Sequence, residues 1–161
     1  MPEIILPIVF CIALLILKRI HKKYLIALSA RIAMATMLVS TAIAHVVFAK
    51  GMSMMLPDSI PYKTELVYFT GMLEAGATIG LLLPRYRKLT GVLLIVFFIC
   101  LLPANIYAAM KHVNRERAAF DGDGLDYLWY RIPLQAFFIA WVYFSSVKPI
   151  SDKKYVLETM A

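Results

Sequence analysis

Five apolar runs, each closed by basic or turn-forming residues, divide the chain into 2–17, 24–49, 64–84, 89–110 and 125–147. An α-helix needs about 20 mostly apolar residues to cross a bilayer. Four of the runs reach or approach that length. The first is shorter, so it either spans with little tilt and snorkelling Lys18 and Arg19, or lies at the interface. No run alternates polar and apolar positions at period two, so a β-barrel is not expected. The pattern predicts an all-α membrane protein of about five transmembrane segments. Residues 1–23 form an N-terminal apolar helix and basic loop, 24–148 a four-helix transmembrane bundle core, and 149–161 a cytoplasmic tail.

Composition agrees. The 161 residues are 61% hydrophobic and 17% charged, against about 45–50% and about 25% in soluble domains; the mean hydropathy is +0.75. The net charge of +7 therefore need not indicate a nucleic-acid partner, because Lys and Arg gather in cytoplasmic loops. Alternate connections differ in basic content. Lys18, Arg19, Lys22, Lys23, Arg85, Arg87, Lys88, Lys148, Lys153 and Lys154 fall on one side, and Lys50, Lys63, Lys111, Arg115 and Arg117 on the other. The second side also carries Asp58, Glu116, Asp121 and Asp123. The rule places the N-terminus outside and the C-terminus in the cytoplasm. No Lys or Arg precedes the first run, which argues against a cleaved signal peptide.

Two loops and two thiols call for a chemical reading. The segment KGMSMMLPDSIPYK (50–63) reads as an apolar, Met-rich loop lying on the membrane rather than a copper site. The segment FDGDGLD (120–126) lacks the full twelve-residue calcium-loop pattern. It reads as a turn, with Asp123 or Asp126 as helix N-cap. Cys11 and Cys100 have no CxxC spacing and read as buried apolar thiols.

Ionisable residues inside spanning segments are rare and face the protein interior. Here they are Arg31, His45, Glu74 and Arg131, joined by Asn105 and Gln135. At about 1.5 Å per residue, Glu74 and Gln135 lie near the midplane. Arg131, Asn105 and His45 lie toward the outer surface, and Arg31 toward the inner one. Thr70, Gly71, Ala77 and Thr78 flank Glu74 on its own face, a face suited to close helix contact. Gly76 and Gly80 form a GxxxG pair on another. Pro103 denies the Ile99 carbonyl its usual donor and should kink the fourth run beside Asn105. Either Arg131 or Arg31 is expected to pair with Glu74. That pair can fix helix register or serve a ligand or a proton.

Several segments resemble the DoxX-like family of small bacterial integral membrane proteins: ARIAMATMLVSTAIAHVVF (30–48), LPDSIPYKTELVYFTGMLEAGATIGLLLPRYRKLTG (56–91), LLPANIYAAM (101–110) and YRIPLQAFFIAWVY (130–143). The resemblance implies a four-helix core in the bacterial inner membrane, to which the first apolar segment is an addition. It also implies that Arg31, His45, Glu74, Asn105 and Arg131 are recurring polar positions. The family has been linked to thiosulfate–quinone oxidoreduction, to oxidative-stress complexes and to chaperoning or export of proteins. The chain shows no haem-ligand His pair, dinucleotide fingerprint or dithiol, so no catalysis is expected of it alone. The leading expectation is a polar interior that binds a small amphipathic ligand, a quinone or lipid, or supports a membrane complex. Glu74, Arg131, Asn105, Gln135, Arg31, His45 and Tyr107 would form that site, with no metal. Alternatives are a membrane subunit of a quinone-linked oxidoreductase, a small-solute transporter and an assembly chaperone. Partners would be the lipid bilayer and a second copy or partner subunit, not nucleic acid.

Overall fold

A computed structural model describes residues 4–22 and 24–148. The tail 149–161 and Lys23, with the basic charges expected at Lys153 and Lys154, lie outside them. The described chain is all-helical: α1 (Ile5–His21), α2 (Ile26–Val47), α3 (Ala49–Ser53), α4 (Lys63–Leu82), α5 (Arg87–Met110) and α6 (Asp126–Val142), continued by a π-helical turn over Tyr143–Val147. The one extended pairing among the described residues is an isolated bridge between Asn114 and Ala119.

Two helices, α2 and α5, are long and apolar enough to cross a membrane. The other three long helices fall short for visible reasons. The first, α1, has 17 residues. Helix α4 carries Lys63, Glu65 and Glu74 among small Gly and Thr residues. Helix α6 has 17 residues before its backbone slips into the five-residue π turn.

Packing follows the small residues. Helix α2 lies against α1 on one side and α4 on the other, and α5 pairs with α6. At Gly71, a Cβ would stand 2.8 Å from the His45 Cβ, so glycine is what lets α4 approach α2 there. Lower on the same face Thr78 donates its hydroxyl to the Ala35 carbonyl at 3.4 Å. The expected GxxxG pair does not act as one surface. Gly80 abuts Thr90 of α5, whereas a Cβ on Gly76 would meet nothing within 4 Å. One core holds these elements together, built on Leu6, Met34, Met37, Leu38, Leu81, Leu94, Phe98, Phe138 and Val142.

Outside that core the helices are apolar where they are exposed. Ile12 and Leu15 on α1, Val46 on α2, Met72 and Ile79 on α4, Leu93 and Val96 on α5, and Phe137 on α6 all face outward. Only 28% of the apolar window of α5 is buried. Large apolar side chains are thus exposed on every long helix. The reading of the thiols is corrected too: Cys11 and Cys100 are exposed, because each lies on the outward side of its helix.

The connections are structured. The 50–63 segment is not all loop. Its first turn is α3, and Asp58 then holds Lys63 at 2.5 Å across the start of α4. The hydrogen bond from Lys63, and its charge, hold the Asp58 carboxyl below the usual range. Between α5 and α6, Asn114 Oδ1 accepts from the Glu116 and Arg117 amides at 3.1 and 3.2 Å, and Arg117 meets Asp121 at 2.7 Å. Neither expected aspartate caps α6. Leu125 occupies that position without a side-chain hydrogen bond, and Asp126 is already in the first helical turn, where its charge favours the helix dipole.

Candidate functional site

Helix α4 brings Glu74 into the bundle at 4% exposure. His45 of α2 faces it. Glu74 Oε2 lies 3.4 Å from His45 Nδ1, while that nitrogen is 2.8 Å from the Thr41 carbonyl. A carbonyl only accepts, so Nδ1 carries the proton and donates it to Thr41. The approach of His45 to Glu74 is thus an electrostatic contact beside a committed donor. It exists because Gly71, one turn from Glu74, leaves room for the imidazole.

A second polar layer sits across the bundle. Asn105 Nδ2 donates to the Leu101 carbonyl at 3.0 Å and reaches Gln135 Oε1 at 3.5 Å. Gln135 Nε2 donates to the Phe98 carbonyl. The sequence pointed to a carbonyl released near Pro103 and named Ile99. The acceptor that α6 engages is Phe98, one residue earlier, because that carbonyl faces Gln135 while Ile99 is on the outward side of α5.

Two cavities meet at Glu74. The smaller, about 50 Å³, is enclosed by Met37, Leu38, Phe98, Gln135 and Phe138. The larger is a cleft of about 780 Å³ running between α4 and α5 beneath α3 and the loop after it. Thr41, Glu74, Leu101, Arg115 and Arg131 line both. The charge of Arg131 also acts on Glu74. Apart from these residues, His45, Asn105 and Glu116, the cleft wall is mostly apolar: Phe48, Met52, Met55, Leu66, Phe69, Leu73 and Phe97 are typical.

The structure therefore brings together Glu74, His45, Arg131, Asn105 and Gln135. It does not bring Arg31 or Tyr107 to either cavity. Arg31 is buried, but ten residues separate it from Thr41, about 15 Å along α2. Tyr107 is half-buried, beyond Asn105 on α5.

Two residues that line both cavities were not among those expected there from the sequence. Thr41 was detectable, one turn before His45 on the same helix face. Arg115 was not: it lies in an aperiodic loop. What seats it is a contact with α3, where Gly51 passes so close that a Cβ would stand 1.9 Å from the Arg115 carbonyl oxygen.

The fold and site together define a class: a small all-helical protein with a buried carboxylate, imidazole and amide set at the head of an apolar cleft. The chain belongs to the family described as a domain of unknown function (DUF8561), whose model matches residues 34–146. The matched region begins within α2, ends in the π turn and leaves out α1. No curated protein and no solved structure matches the chain.

Proposed function

We propose that this is a multi-pass membrane protein that holds a small amphipathic ligand, a quinone or lipid, in the cleft beside Glu74. Helices α2, α4, α5 and α6 would be the DoxX-like four-helix core, with α1 laid against it. The N-terminus is outside and the C-terminus cytoplasmic. The outward-facing apolar residues on every long helix support the membrane reading.

The observation that carries the ligand reading is the cleft itself. Its volume, about 780 Å³, lies within the roughly 300–1,000 Å³ typical of ligand sites. Its composition is that of such a site too, apolar walls with a few convergent polar groups. A bundle that used Glu74 only to fix helix register would have little reason to keep this space beside it.

Protein purified in mild detergent, extracted with organic solvent and analysed by mass spectrometry should release one amphipathic species in near-stoichiometric amount. Leu73→Trp, which fills the cleft without touching the polar groups, should lose it. Equal lipid profiles for the two proteins, with no enriched species, would sink the proposal.

A further inference from the structure

Glu74 Oε2 is buried and accepts no hydrogen bond among the described residues, yet its side chain lines the cleft. A buried carboxylate short of donors is costly, and the part of Glu74 that lines the cleft is where a further donor can reach it. Arg115, whose backbone is seated against Gly51, lines the same space and carries a side chain rich in donors.

The walls differ in how they are closed. Above, Met52, Met55, Leu56 and Ile60 form an apolar, half-buried roof. At the side, Phe69 and Leu73 of α4 and Cys100 of α5 line the cleft and are also exposed. The cleft therefore has a mostly apolar roof and exposed apolar side chains at its side, between two helices whose outer surfaces are apolar.

Depth restricts the head group. Glu74 is eleven residues into α4, about 16 Å below its start. Bringing a phosphate or an ammonium to that level carries the penalty of a charge near the bilayer centre. An uncharged hydroxyl carries far less and supplies the donor.

Resting on the ligand reading above, we infer that the occupant is an uncharged, single-chain amphiphile. It enters sideways from the leaflet on the α3 side. Its hydroxyl donates to the Glu74 carboxylate, an oxygen of its head accepts from Arg115, and its chain lies between α4 and α5.

The test uses the full chain in phosphatidylcholine vesicles and a monoacylglycerol with a diazirine in its chain. Irradiation should label α4 and α5 around Phe69, Leu73 and Phe97. Unlabelled monoacylglycerol should compete, and its di-O-methyl ether, which keeps the shape but not the donor, should compete about tenfold less well. Leu73→Trp should abolish the label. Glu74→Leu should remove the difference between the two competitors; Leu73→Trp keeps the test decisive if that variant does not fold.

Equal competition by the ether would overturn the hydroxyl contact and leave the cleft as a ligand site. Labels spread over Ile12 and Leu93, with no competition, would overturn both this inference and the ligand reading. In a Cys11→Ser background, Cys100 should react faster with a bilayer-soluble maleimide than with an impermeant one. The reverse order would overturn sideways access alone.

Discussion

Glu74 shows how far single positions could be read. A carboxylate in an apolar run had to face the interior, and depth put Gln135 level with it and Asn105, Arg131 and His45 on its outer side. That reasoning needs only the rise per residue. The choice of partner needs the rotation of each helix about its axis, which a near-uniform apolar surface does not encode. So Arg31, on the right helix at the wrong level, could not be excluded, and the contact of His45 with Glu74 was not visible. Gly71 explains the outcome and can be tested. Gly71→Ala places a methyl 2.8 Å from the His45 Cβ and should destabilise the protein by about 1–3 kcal/mol. Gly76→Ala, with open space around it, should be neutral or slightly stabilising. Thermal unfolding of the two variants in the same detergent checks the contrast. Gln135→Leu leaves the Phe98 carbonyl without its side-chain donor. It should cost about 0.6–1.7 kcal/mol, the range of interhelical hydrogen bonds in membranes, in the same assay.

The long helices were legible because each run of apolar residues exceeds what a strand or a loop would use. The structure moves their ends by only a few residues. Short elements were less legible. Helix α3 is one turn and a half and has no amphipathic period. It exists because the chain must reverse between α2 and α4 while satisfying its backbone, and it does so with Met54 N to Lys50 O at 3.3 Å and Ser53 Oγ to Lys50 O at 2.7 Å. The α6 start was misread for a related reason: aspartates near a glycine imply a cap, but Gly124 at φ +66° turns the chain so that Leu125 falls there instead. The contact between α3 and the 111–125 loop yields the test at this scale. Gly51→Ala cannot fit against the Arg115 carbonyl, so the loop should lift. Trypsin should then cut after Arg115 or Arg117 markedly faster than in the parent protein, with α2 and α5 still intact by mass spectrometry. An unchanged cleavage rate would mean that the two segments do not hold one another. The Asp58–Lys63 clamp nearby is exposed and contributes little. Because its carboxyl sits below the usual range, that contribution is present at neutral pH and lost as the pH falls through the folded value.

At the scale of the molecule, charge distribution and exposed apolar surface are separate observations that predict one arrangement in the bilayer. Single cysteines in a Cys11→Ser, Cys100→Ser background can measure it. An impermeant maleimide added to intact cells should label Ser59→Cys, between α3 and α4, and leave Arg85→Cys, in the α4–α5 turn, unlabelled until the cells are opened. The opposite pattern would invert the topology, and labelling of both would argue against α4 as a span.

The α4–α5 hairpin has a mechanical side. The two helices touch where Gly80 meets Thr90, and they part toward Leu66 and Asn105 to leave the cleft. Leu66 is fourteen residues from that contact, a lever arm of about 21 Å. A rotation of about 5° at the pivot moves the far end by about 2 Å, comparable with half of the roughly 3.5–4.0 Å between carbon atoms in contact. The close approach at Gly80 is thus one determinant of the width of the opening. In the membrane arrangement proposed above, forces that splay or compress helices in the plane of the bilayer, such as lateral pressure and acyl-chain length, would act on it through that arm.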